Sequence, residues 1–205
     1  MRISSALVLS SSIFFAALFA EEGGIVQEYA GDVVIAGDKD AKVTAKKQKI
    51  NFGDTVRTGK DAKAQLVLGN GEIVLLKESS SFKLTGKKGS VKGVISQGEF
   101  LIGLGKKLGK NESFQIETPA CVAGVRGTLF WGLADTNKNS TYAALENQIE
   151  VTAQGKSLIL KPGEKTFVAF GKAPENAAPS GVKPDFLDTF AVDGQIQGLK
   201  DMLKK

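Results

Sequence analysis

Short apolar runs separated by turn residues recur along most of the chain, from Gly31 to about Ala169. The runs are rich in Val, Ile, Leu, Phe and Thr, and turn signals separate them roughly every eight to twelve residues, as in a protein of many short strands. The clearest hairpin signal is Gly69-Asn70-Gly71, because Asn and Gly accept the positive φ of a tight turn. No segment in this region keeps the apolar period of a helix. The sequence therefore predicts an all-β domain of about twelve short strands.

This pattern predicts the strands but does not show how they are arranged. A β-helix-like roll and a jelly-roll sandwich would show the same pattern, so both architectures stay open. The predicted strands are residues 32–36, 42–44, 64–68, 72–76, 81–84, 92–96, 99–104, 128–134, 141–145, 148–152, 156–160 and 165–169.

The first twenty residues differ from the rest of the chain. Arg2 precedes an apolar stretch, and Ala20 is followed by the acidic Glu21 and Glu22, which is typical of a secretory signal peptide cleaved near Ala20. An uncleaved membrane anchor is the alternative, but a span needs about 20 continuous apolar residues. We expect residues 1–20 to be a signal peptide, with no stable membrane span after its removal and a periplasmic or secreted location.

The composition changes again after the predicted β domain, which covers residues 25–170. Residues 171–184 contain three prolines and predict a linker. Residues 185–205 predict a short helical tail, because Asp185 and Asp193 can each cap a segment with apolar residues at helical spacing. The tail is expected to pack back on the sheet, and a partner-binding tail is the alternative.

Histidine is absent and Cys121 is the single cysteine. These two facts exclude Ser-His-Asp and Cys-His catalysis and any metal site that needs imidazole. Cys121 lies among small apolar residues and is expected to be a buried small hydrophobe. Glu146 and Glu150 would share one strand face and could serve a hydrolase, which is the minor alternative. We expect no catalytic, metal or cofactor residue and a protein that is not an enzyme.

Two motifs, taken together, carry a resemblance to a known family. Residues 53–59 read GDTVRTG, and residues 118–128 read TPACVAGVRGT. Their order and spacing resemble the FecR-type periplasmic domain, over about residues 25–169. In that family a cytoplasmic N-terminus acts on a sigma factor, one helix crosses the membrane, and the β domain senses an outer-membrane transporter. Because only a few residues precede the apolar segment, a stand-alone exported form without the sigma-regulatory region is expected here.

The resemblance implies a non-catalytic exported domain that binds or scaffolds a cell-envelope component. The partner would be an envelope protein or, through the clustered lysines, an anionic envelope polymer. The alternative is a periplasmic sensor module in transmembrane signalling with a separate membrane partner. Nucleic acid is not expected, because an exported protein rarely meets it.

The motif residues are predicted to be structural. Arg57 and Arg126 are the only arginines after Arg2, which suggests that each is used for its planar, partly buried pairing with a carboxylate. The candidate acids are Asp54, Glu99, Glu117 and Glu164. Residues 118–131 are predicted to form a tight corner between two sheet layers, and a ligand- or peptide-binding loop is the alternative. The predicted motif set is Gly53, Asp54, Arg57, Thr58, Gly59, Thr118, Pro119, Gly124, Arg126, Gly127 and Thr128.

Overall fold

The computed structural model describes residues 21–37, 40–104, 108–125, 128–182 and 184–191, and these residues form an almost entirely β structure. The all-β prediction is confirmed. The strands are β1 (Glu22–Ala30), β2 (Val33–Ala36), β3 (Ala41–Lys42), β4 (Gln48–Asn51), β5 (Thr55–Thr58), β6 (Lys63–Leu68), β7 (Glu72–Leu76), β8 (Ser81–Lys87), β9 (Ser90–Leu104), β10 (Ser113–Glu117), β11 (Val122–Val125), β12 (Leu129–Ala134), β13 (Ser140–Glu146), β14 (Ile149–Ala153), β15 (Lys156–Leu160), β16 (Glu164–Val168) and β17 (Ala178–Pro179). A 3-10 helix, Pro184–Phe190, follows them.

The strands pair into two sheets that share β9. Sheet A has the order β4-β1-β6-β7-β9-β12-β13-β16-β17. Sheet B has the order β3-β2-β5-β8-β9-β10-β11-β14-β15. Among these pairings only β9 with β10 is parallel. The arrangement is a two-sheet sandwich in which the chain passes repeatedly from one sheet to the other.

Strand β9 changes sheets along its length. Residues 90–97 pair with β8 in sheet B, and residues 98–104 pair with β7 and β12 in sheet A. Gly98 lies at the change, with φ of 116°, and a Cβ added to it would overlap the Ser80 side chain. Only glycine adopts this conformation at low cost, so Gly98 permits the bend. The two predicted strands 92–96 and 99–104 are therefore one strand.

The two sheets enclose one apolar core. Phe100, Phe130 and Tyr142 are fully buried at its centre. The Phe100 ring packs edge-on against Phe130 and Tyr142, at centroid distances of 6.4 and 5.9 Å. Phe82 and Phe114 bring sheet B into the same cluster. Full burial of a large apolar side chain stabilises a fold by about 1.5–3 kcal/mol, so this core supplies the main driving force for folding.

The 3-10 helix packs on the outer face of sheet A. Phe190, at 1% exposure, contacts the fully buried Leu75, Leu101 and Leu129. This second cluster explains why the strands of sheet A are apolar on both faces. The predicted linker 171–184 contains β17, which pairs with β16. The predicted signal peptide and the part of the helical tail from residue 192 onward lie outside the described residues. None of the helical structure described is long and apolar enough to cross a membrane.

Candidate functional site

Both sequence motifs lie in sheet B, within or beside strands that the sequence pattern does not predict. The first motif contains β5, and the second joins β10 to β11. β5 and β10 are short and their outward residues are polar, and β11 has only four residues, one of them Gly124. The structure therefore places the first motif and residues 118–125 of the second beside or within sheet B.

The first motif shapes the turn before β5 and holds the end of that strand. Gly53 has φ of 101°, and its N–H donates to the Leu84 carbonyl at 2.7 Å. The Asp54 carboxylate accepts a hydrogen bond from the Asn51 N–H at 2.8 Å. The buried Thr58 hydroxyl donates to the Lys77 carbonyl at 2.6 Å. These bonds connect the two ends of β5 to β4, to β8 and to the segment between β7 and β8.

After the strand, the Gly59 N–H donates to the Asp32 carbonyl at 2.8 Å, so the last residue of this motif holds the chain beside the start of β2.

Arg57 does not form the predicted, partly buried pair with a carboxylate. Its side chain is 57% exposed, and its nearest carboxylate, that of Asp40, lies 3.9 Å away and is 66% exposed. The reason is strand alternation: Val56 and Thr58 face the core, so Arg57 must face solvent. None of the four predicted acidic partners contacts it among the described ion pairs, and that prediction is wrong for Arg57. Arg126 and Gly127 lie outside the described residues.

The acids proposed as partners have other roles. Glu99 binds Lys77, Glu117 forms an ion pair with Lys92, and Glu164 accepts a hydrogen bond from the Lys161 N–H.

A threonine connects the second motif to the opposite sheet. Thr118 begins the turn between β10 and β11, and its hydroxyl donates to the Cys121 carbonyl at 3.1 Å. The same oxygen accepts from the Ser140 hydroxyl at 2.9 Å and from the Tyr142 hydroxyl at 3.5 Å. Ser140 and Tyr142 belong to β13 in sheet A. Residues 118–121, including the half-buried Pro119, are thus a hairpin turn of sheet B bonded to sheet A.

The predicted corner, residues 118–131, includes both this turn and the passage between the sheets. The chain passes from sheet B to sheet A between Val125 and Leu129. Thr128, 2% exposed, donates its hydroxyl to the Glu146 carbonyl of β13.

Cys121 is buried beside this network, as predicted. Burial raises the pKa of its thiol, although the hydrogen bond with Thr118 works in the opposite direction. Burial also raises the pKa of the Tyr142 hydroxyl well above its ordinary value. A protonated, buried thiol is a poor nucleophile, so this cluster is suited to structure rather than chemistry.

The outer face of sheet B carries a groove that crosses four strands. Its floor is the cross-strand row Gln115, Gly124, Glu150 and Ile159, on β10, β11, β14 and β15. The groove has a volume of about 1010 Å³. Its walls include Leu108, Glu112, Asn147, Gln148 and Pro162.

Gly124 creates the depth of this groove. A Cβ added to Gly124 would meet only the Glu150 carbonyl oxygen, at 4.0 Å. By contrast, a Cβ at Gly93 or Gly132 would overlap the ring of Phe82 or Phe100. Those two glycines are required by packing, whereas the missing side chain of Gly124 leaves open space on the surface. We therefore treat the groove as the candidate functional site.

The chemistry of the groove suits binding. An amide, a carboxylate and an exposed aliphatic side chain stand in one row, a mixture that fits a protein or peptide surface. Within the described ranges, no three His, Cys, Asp or Glu residues lie together in a way that could hold a metal ion. Glu146 and Glu150 do not share a strand face, because the turn at Asn147 places them in different sheets. The carboxylate-pair prediction is therefore wrong.

Residues 54–150 match the family model described as "FecR protein". Over these residues the chain is similar to the FecR domain. The matched segment contains the first motif except Gly53, the whole of the second, and three of the four residues in the groove floor. No curated protein matched the sequence.

Solved structures share the fold of this FecR domain. Two crystal structures, at 1.65 and 2.50 Å, of "a putative anti-sigma factor" from Parabacteroides distasonis superpose with a TM-score of 0.54. Their sequence identity to this chain is 14%, and the match covers 61% of this chain. The chain spans 59% of the length of those structures. The likeness establishes a shared fold.

Proposed function

We propose that this FecR domain is a non-catalytic exported module that binds a protein of the cell envelope through the groove on sheet B. The observation that carries the proposal is Gly124, a motif glycine that no packing contact among the described residues requires and whose missing side chain opens the groove. FecR domains are regulatory, typically periplasmic modules of envelope signalling, which supports a binding role.

The two outer faces of the sandwich also favour this site. On sheet A the 3-10 helix already covers Leu75, Leu101 and Leu129. On sheet B the row through Gly124 is open, and Gln115 and Glu150 are exposed. A partner would reach the groove without displacing any described part of the chain.

A photo-crosslinking experiment tests this function in the full chain expressed in a bacterial envelope. A photoreactive residue at Gln115 should give a discrete adduct, and one at the exposed Lys49 of β4 should not. Gly124→Tyr should remove the adduct, because its ring would fill the groove without a clash at the backbone. Equal adducts from both positions, or an adduct unchanged by Gly124→Tyr, would contradict the proposal.

An anionic polymer is a weaker candidate partner. Of the predicted lysine clusters, Lys46 and Lys49 form ion pairs with Glu28 and Glu22. These pairs reduce the positive charge available to a polymer. Adducts that persist in high salt would favour the protein partner, whereas a steep loss with added salt would favour the polymer.

In the signalling form of the proposal, binding at the groove changes the activity of a separate membrane protein. It uses the same groove and differs only in what lies downstream. Changed transcription of neighbouring genes in a Gly124→Tyr strain would support it, and unchanged transcription would leave a scaffolding role.

A further inference from the structure

Strand β15 is the longest unpaired sheet edge among the described residues. Each sheet has two edge strands: β4 and β17 in sheet A, and β3 and β15 in sheet B. β3 and β17 have two residues each, and β17 contains Pro179, which has no N–H. In β4, the Asn51 N–H already donates to Asp54. β15 has five residues and no proline.

The turn before β15 determines which of its backbone groups are free. Gln154 and Gly155 form a two-residue turn with φ of 50° and 70°, the conformation of a type I′ hairpin. Such a turn is closed by a hydrogen-bonded pair, here Ala153 and Lys156, and the bonded pairs then alternate along the ladder. The N–H and C=O groups of Ser157 and Ile159 therefore point away from β14. Within the described ranges, no backbone hydrogen bond outside the sheet ladders reaches them.

Two side chains of β15 are only partly covered by the described residues. Ile159 is 58% exposed, the highest value among the exposed large hydrophobic residues described. On the opposite face, Leu158 is only partly buried at the margin of the core. A strand placed beside β15 would cover both side chains and would extend the groove floor beyond Ile159.

The charges at the two ends of β15 favour one kind of occupant. Lys156 and Lys161 are exposed and flank the apolar centre. Lysine at a sheet edge discourages pairing with a second copy, because antiparallel copies would bring like charges together. An extended segment with acidic ends would instead form opposite-charge cross-strand pairs.

We propose that β15 binds an extended segment of the partner protein, which adds to sheet B as a further strand. The segment places an apolar residue beside Ile159 and acidic residues near Lys156 and Lys161, and its backbone bonds to Ser157 and Ile159. This inference rests on the proposed function and names the class of partner segment that the groove and its edge receive.

Amide hydrogen exchange in the full chain tests the proposal. The probe is a synthetic eight-residue peptide of alternating valine and threonine between glutamate ends, and the control peptide has lysine ends. In the free protein, the amides of Ser157 and Ile159 should exchange quickly, and those of Leu158 and Leu160 slowly. The acidic peptide should slow exchange at Ser157 and Ile159 by about tenfold or more, and the lysine peptide should not.

Two variants separate this inference from the proposed function. Ile159→Pro should abolish peptide protection, because it removes an outward donor that the β14 ladder does not use. Ile159→Val keeps the donor and should retain binding. If Ile159→Pro fails to fold, Ile159→Asp should weaken binding, because it replaces the apolar contact with a carboxylate that repels the glutamate ends of the peptide.

The remaining outcomes overturn the inference. Slow exchange at Ser157 and Ile159 in the free chain, or no protection by the peptide, would contradict it. Protection that depends on protein concentration without peptide would identify a second copy as the occupant. Peptide binding lost in Gly124→Tyr but kept in Ile159→Pro would overturn strand addition while leaving the groove function intact.

Discussion

The outer faces of the two sheets follow the same alternation of side chains but have opposite character. On sheet A, Leu75, Leu101 and Leu129 are fully buried because the 3-10 helix covers them. On sheet B, Arg57 and Glu150 stand at the same kind of outward position and are exposed. These outward residues are apolar where the chain supplies its own cover and polar where it does not, and Ile159 of β15 is the exposed apolar exception on sheet B. The uncovered face is the one open to a partner.

The 3-10 helix Pro184–Phe190, which forms the cover of sheet A, is held by charge as well as by apolar contact. The Lys77 ammonium lies 4.8 and 4.5 Å from the ring centres of Phe186 and Phe190. It also lies 3.0 Å from the Glu99 carboxylate, which accepts a hydrogen bond from the Trp131 ring N–H at 2.9 Å. The helix is thus positioned over one lysine and one tryptophan.

Removal of the cover should have the largest effect. Phe190→Ala should lower the free energy of unfolding by about 3–5 kcal/mol, because it opens a cavity above Leu75, Leu101 and Leu129. Urea denaturation measures this. Phe170→Ala is the matched control, because Phe170 is 54% exposed, and it should change little. Equal effects of the two variants would mean that the helix does not stabilise sheet A.

The bond network between the sheets should have the next largest effect. Thr118→Val should lower the free energy of unfolding by about 1–3 kcal/mol, since the buried hydroxyls of Ser140 and Tyr142 lose their shared partner. Thermal and urea unfolding both report it. The same change at the exposed Thr136 should have almost no effect. A neutral Thr118→Val would show that the sheets are held by apolar contact alone.

The lysine under the cover should matter less. Lys77→Met should cost about 1 kcal/mol, because the ion pair and ring contacts are only partly buried. Trp131 is the single tryptophan, so its fluorescence reports the environment of the cover directly. We expect a shift of its emission in Lys77→Met and none in Lys83→Met, where the lysine is exposed on sheet B. Emission changes in both variants would argue against a local effect.

The groove glycine should have the smallest effect on stability. Gly124→Ala should change the free energy of unfolding by less than about 0.5 kcal/mol, the usual range for an exposed site without packing contacts. Gly132→Ala should be strongly destabilising, because the new Cβ would overlap the Phe100 ring. Comparable losses from the two variants would show that Gly124 is needed for folding.

The sequence was sufficient for the fold class and for the family. The hairpin from β6 to β7 follows from the turn signal at residues 69–71, where Gly71 has φ of 90°, a conformation that few other residues accept. The FecR resemblance followed from the two motifs, and the match over residues 54–150 confirms it.

Other features could not be predicted, and each has a physical reason. β5 and β10 carry outward polar residues, such as Arg57 and Gln115, so their apolar content resembles that of loops. β11 is only four residues long and contains Gly124, so it gives no clear strand signal. The rarity of arginine suggested a partly buried pair with a carboxylate, but strand alternation turns the Arg57 side chain toward solvent. The role of Thr118 depends on Ser140 and Tyr142, which are distant in sequence and adjacent only in the fold.

Strand β9 ties the halves of the sandwich together by a covalent backbone. Since its first residues belong to one layer and its last to the other, the layers cannot slide or part without the loss of ladder bonds in both. The domain should consequently melt in a single concerted transition, and no half of it should persist as a separate folded unit.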